Sequence, residues 1–129
     1  MQYDQFIKHV QSFAQLDSRE AAETATGAVL ETIADRIVGD EAHQLAAQLP
    51  KQLDEYLYGR EGQNGTYFSL REFYERVAQK AGVELTIAPT YCRAVFAVLN
   101  AAVTPGEFAD VKANFSEEYE ELFAPPAQV

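Results

Sequence analysis

The apolar positions of this 129-residue chain occur twice. Phe6 and Val10 return as Phe73 and Val77 at an offset of 67 in the numbering, and Val29, Ile33 and Ile37 return as Val95, Leu99 and Val103 at an offset of 66. Leu45, Leu49, Leu53 and Leu57 return as Val111, Phe115, Tyr119 and Phe123, also at 66. A one-residue deletion reconciles the two registers. Within each set the spacing is four residues, close to one helical turn, which lines its members along one face of a helix. A unit of about 60 residues buries too little surface to be comfortable alone, so two copies packed on each other are the economical arrangement. The expectation is an all-α, compact helical bundle made from two sequence-similar halves, about eight helices with some short. It forms a single domain over 1–129, with repeats at 2–58 and 67–123 and a flexible connection at 59–66.

Punctuation along the chain refines this. In the first half, Tyr3, Phe6, Ile7, Val10 and Ala14 form one stripe. Asp17 with Glu20 three residues later then reads as a cap for a long helix carrying Ala21, Ala25, Val29, Ile33 and Ile37, with Gly39 as its stop. Asp40 caps a third helix with Ala42, Leu45, Ala46 and Leu49. Pro50 marks a break before a fourth bearing Leu53, Tyr56 and Leu57. The stretch YGREGQNGTY, with three glycines and Asn64, reads as a loop around Gly59 to Thr66.

In the second half, Ser69 with Glu72 forms a capping box, and Phe68 and Phe73 are its apolar staple. Leu70, Phe73, Val77 and Ala81 line the helix that follows, which ends at Gly82. The next begins near Pro89 and carries Cys92, Val95, Phe96, Leu99 and Val103. Residues 83 to 87, VELTI, have strand propensity but no evident partner strand. Thr104, Pro105 and Glu107 open another helix, stapled by Val103 and Phe108. Ser116 caps a last segment with Tyr119, Leu122 and Phe123, and APPAQV trails irregularly.

YDQFIKHV, REAAETATGAVLETIADRI and EAHQLAAQLPKQLDEYL, followed by FYERVAQKAGV, YCRAVFAVLNAAVTPGEFADV and EEYEELF, resemble the bacterial family catalogued as domain of unknown function 2267. The likeness runs over residues 2 to 123. It implies a small helical domain and carries over no catalytic or binding residues. Asn114 to Ser116 stand where the first half has Gln48, Leu49 and Pro50, a departure between the halves.

Twenty acidic residues against ten basic ones give a net charge of −10, shared by both halves. Such a chain repels phosphate polyanions and anionic bilayers, which argues against nucleic acid and membrane as partners. Arg71, Arg76 and Lys80 form a basic cluster along one helix, but Glu72 and Glu75 stand among them. One cysteine forbids an intrachain disulfide. The N-terminus lacks a secretory pattern and no apolar run approaches the roughly 18 residues of a bilayer crossing, so a cytoplasmic location is expected.

No motif names a reaction. GREGQNG has neither dinucleotide-fingerprint nor P-loop spacing. His9, His43 and Cys92 are too dispersed for a zinc pattern, so the histidines read as surface residues and the cysteine as packing. Asp40 and Glu41 read as terminal charges. Glu117, Glu118, Glu120 and Glu121 read as a solvated run that lacks calcium-loop spacing. Tyr58 and Tyr67 flank the loop as structural or recognition groups. No catalytic, cofactor-binding or metal-ligating residue is therefore assigned, no cofactor is expected, and no oligomeric state is signalled. The leading expectation is a noncatalytic interaction or regulatory module with an unidentified protein partner. The alternatives are an enzyme with a small-molecule pocket between the halves and, behind it, a nucleic-acid binder.

Overall fold

A computed structural model describes residues 1–58 and 65–123. Among these the chain is helical without strands: α1 Tyr3–Ala14, α2 Arg19–Arg36, α3 Gly39–Ala47, a 3-10 turn Lys51–Leu53 running into α4 Asp54–Leu57, then α5 Leu70–Ala81, a 3-10 turn Leu85–Ile87, α6 Ala88–Ala102, α7 Pro105–Lys112, a 3-10 turn Glu117–Tyr119 and α8 Glu120–Phe123. VELTI forms a turn, with Leu85 and Ile87 exposed. Residues 59–64 of the expected connection and the expected irregular tail at 124–129 lie outside the described residues.

The stripe read for α1 is buried as Phe6, Ile7, Val10 and Ala14. The helix stops at Gln15, which adopts left-handed backbone at φ 54° without being glycine. Its successor starts one residue later than expected. Ser18, not Asp17, is the cap, its hydroxyl accepting the Ala21 amide at 3.1 Å. Of the expected core line, Ala25, Val29, Ile33 and Ile37 are buried and Ala21 is half-buried, with Ala22 buried beside it.

α2 is buried on nearly all sides because α1, α4, α5 and α6 all pack on it. Its composition fits that role. Thr26 and Thr32 return their hydroxyls to the Ala22 and Ala28 carbonyls at 2.8 Å, so both are buried without an unpaired donor. Gly27 gives up its side chain to the Tyr56 ring: a Cβ there would lie 2.7 Å from Tyr56 Cε1. Gly39 does not stop α2 but begins α3, since Ile37 turns extended at φ −90°, ψ 156° and drives its side chain into the core.

α1 packs on both α2 and α6, and α5 packs on the same two helices, so segments from either side of residues 59–64 interleave in one interior. α3 packs on α7, α4 on α2, and α8 on α6. Phe73 sits at the centre of a ring cluster with Phe68, Phe96, Phe115 and Tyr119, centroids 5.7 to 6.2 Å away. Tyr119 donates its hydroxyl to the Phe68 carbonyl at 2.6 Å, and burial pushes its pKa up to about 12. The segment Leu85–Ala102 has the length and, at a mean hydropathy of 1.2, the composition of a bilayer crossing, contrary to the expectation from the bare sequence. Here its apolar side chains Ala88, Cys92, Val95, Phe96 and Leu99 are buried in the protein core.

Candidate functional site

The α3–α7 seam is where polar groups are left over. In a capping box the third-position glutamate reaches back to the amide of the cap residue. Here those two amides are taken from across the seam. Asn114, just beyond α7, accepts the Val38 amide at the head of α3 through Oδ1 at 3.2 Å. Gln48, at the end of α3, accepts the Thr104 amide at the head of α7 through Oε1 at 2.8 Å. Asp40 consequently does not cap α3, whose cap position is Val38.

The displaced groups are Glu41 and Glu107, the third residues of α3 and α7. Thr104 still accepts the Glu107 amide with its hydroxyl at 3.2 Å, as half of the expected box. Glu107's own carboxylate does not return. The residue is 7% exposed, and its Oε2 is buried without a hydrogen-bond partner, as is Oε2 of Glu41. Asp110, one turn along α7 from Glu107, brings a third carboxylate; one oxygen from each of the three lies within 4.8 Å of the others. Burial first, then the charges of Asp110 and Asp40, raise the Glu41 pKa; burial, then Glu41 and Asp110, raise that of Glu107. The bare sequence presents Glu41 as a terminal charge and Glu107 as a member of a capping box. The signal for the seam is the matched offset of 66 from Glu41 to Glu107 and from Gln48 to Asn114.

The other candidates lie elsewhere. His9 is exposed on α1, His43 stacks on Tyr58 with centroids 4.6 Å apart, and Cys92 is buried on α6; none belongs to the converging carboxylate group. Burial holds the Cys92 thiol well above its ordinary pKa, which suppresses the reactive thiolate. The basic cluster is spoken for: Arg71 pairs with Glu75 at 3.5 Å, Arg76 with Glu72 at 2.6 Å and Asp35 at 3.4 Å, and Lys80 with Asp35 at 3.1 Å. Ser69 caps α5 as expected, but Glu72 turns to Arg76 rather than back to the cap. Within the acidic run, Glu118 accepts the Leu70 amide at 2.7 Å and the Tyr67 hydroxyl at 2.9 Å, which together hold its carboxyl below the usual range. Ser116 occupies its cap position but makes no capping bond, its hydroxyl lying 3.4 Å from Glu118.

The family described as "Uncharacterized conserved protein (DUF2267)" matches residues 3–122, nearly the whole chain. The chain belongs to this family. A search among curated proteins gave no match. In this DUF2267 chain a second feature accompanies the seam: an open cleft of about 350 Å³ lined by Ala109, Lys112, Ala113, Phe115, Glu120 and Phe123, among others. All of its lining belongs to residues 109–123. Beside it Arg36, buried with an unpartnered Nε, lies 5.2 Å from the Phe115 ring centroid and 4.9 Å from that of Tyr67, which is 62% exposed.

Proposed function

We propose that the chain is a noncatalytic protein-interaction or regulatory module of the bacterial cytoplasm, built from a duplicated helical unit whose two copies share one core. Duplication is supported by contacts that fall into corresponding pairs: α1 on α2 with α5 on α6, α1 on α6 with α5 on α2, and α2 on α4 with α6 on α8. It is also supported by the cross-seam caps, in which Val38 and Thr104, Gln48 and Asn114, and Glu41 and Glu107 all stand at the same offset of 66. A buried, free thiol suits a reducing compartment.

The observation that carries the interaction reading is the cleft at α7 and α8. Phe115 and Phe123 give it an apolar lining on a strongly acidic protein, while Lys112, Glu117 and Glu120 contribute charges of both signs. An apolar site edged by polar groups is the arrangement of a recognition surface. The thiol meanwhile lies in the core, and Arg76 and Lys80 stand in ion pairs.

Ala113 is exposed and lines the cleft, so Ala113→Arg fills it without touching the core. Immobilised wild type is expected to retain a protein from bacterial lysate that the variant releases. Identical sets of retained proteins on both, or none reproducibly on either, would overturn the reading.

A further inference from the structure

We propose that Glu41, Glu107 and Asp110 form a binding site for a hard divalent cation of calcium dimensions at the seam between α3 and α7. Three observations meet here. The first is distance. One oxygen from each residue lies within 4.8 Å of the other two. Ca²⁺ binds oxygen at about 2.3–2.6 Å, so a single ion between opposite ligands spans roughly 4.6–5.2 Å, whereas Mg²⁺ at about 2.0–2.1 Å spans only about 4.2 Å. A calcium-sized ion accommodates separations up to that limit, and small side-chain movements bring all three oxygens onto it.

The second is the unpartnered oxygen of Glu107, a side chain more than nine-tenths buried in the seam. Buried carboxylate oxygens are ordinarily satisfied, and one left bare calls for a ligand. No Lys, Arg or His among the described residues forms an ion pair with any of the three carboxylates.

The third is what leaves that oxygen bare. Glu41 and Glu107 have lost their local amide partners to Asn114 and Gln48, so the caps that bind α3 to α7 also turn both carboxylates loose toward each other. Carboxylates gathered this closely, one of them buried, repel one another. A divalent cation removes the repulsion and bridges the two helices, with water completing its coordination. Carboxylate oxygens select hard cations over the soft metals that thiolates prefer. The site rests on the α3–α7 seam alone and is separate from the recognition cleft.

The test is thermal unfolding of the full chain after EDTA treatment, at fixed ionic strength, with NaCl alone, 5 mM CaCl₂ or 5 mM MgCl₂. Calcium is expected to raise the midpoint by about 3 °C or more, the scale of a one-site ligand well above its Kd on a domain of this size, and magnesium by less. Glu107→Gln is expected to abolish the calcium response and to melt higher than wild type without cation, since it removes the repulsion. Asp110→Asn, on the exposed edge, is expected to weaken the response and serves if Glu107→Gln fails to fold. Glu84→Gln, an exposed acid on the 3-10 turn before α6, is expected to keep the full response. Equal midpoints in calcium and in sodium would overturn the proposal. So would a calcium response undiminished by both seam variants, because it would then come from the diffuse negative surface.

Discussion

Replacing Gln48 with alanine removes the acceptor of the Thr104 amide, a 2.8 Å bond across the α3–α7 seam. Taken alone such a bond contributes a net ~0.5–1.5 kcal/mol, and because Thr104 is exposed, water takes up the freed donor. Glu107, three residues on, is then free to close the ordinary capping box that Gln48 had displaced. Gln48→Ala is therefore expected to cost under about 1 kcal/mol, with the glutamate making good part of the loss. The sharper consequence is a coupling. In the wild type Glu107 contributes nothing to the Thr104 amide, whereas in Gln48→Ala it becomes the cap. Glu107→Ala should then be more damaging in the Gln48→Ala background than in the wild type by about 1 kcal/mol, the usual worth of an N-terminal cap. The loss of the glutamate stem's packing is common to both backgrounds and cancels in the cycle. Urea unfolding followed by helical circular dichroism, in EDTA, measures the four stabilities. Additivity to within about 0.3 kcal/mol would refute the idea that cross-seam capping is what strands Glu107.

Gly27→Ala places a methyl group 2.7 Å from Tyr56 Cε1, an overpacking expected to cost about 1–3 kcal/mol despite the gain in helix propensity; urea unfolding should show that cost vanish in a Tyr56→Ala background. Tyr119→Phe leaves the Phe68 carbonyl unpaired inside the ring cluster and should cost about 1–3 kcal/mol by the same measurement. Glu118 has its carboxyl held below the ordinary range by the Leu70 amide and Tyr67 hydroxyl, so its contribution is present above the unfolded pKa and lost as pH falls through the lower folded one. The Leu70 amide resonance should accordingly titrate with a midpoint below the roughly 4.3 of a free glutamate. Cys92 should resist a thiol reagent in native buffer and react only as the protein unfolds.

What is legible in the sequence is what forms a stripe or caps locally. The stripes through Phe6 and Val10, Phe73 and Val77, and Val95 and Leu99 are buried as read, because wide apolar spacing states its face without reference to the rest of the chain. Ser69 and Thr104 cap where expected for the same reason. The departures come from long-range partners. α2 carries alanine, threonine and glycine, whose small size announces close packing on several neighbours but not which neighbours, so its all-round burial is not legible in advance. Asp17 and Ser18 are both good caps, and the difference between them is one residue of register. The carboxylate seam is hidden more deeply. Glu107 satisfies the capping-box pattern completely, and only Gln48, remote in sequence and at the end of another helix, decides that the box stays open.

The interleaving of α1 with α6 and of α5 with α2 is tested most directly by expressing residues 1–58 and 65–129 as separate chains and recording helical circular dichroism alone and after mixing. Each fragment carries half of one interior, so neither should be fully helical by itself and the missing signal should appear on mixing, in equimolar proportion. Two fragments that each fold completely and ignore one another would contradict a common core.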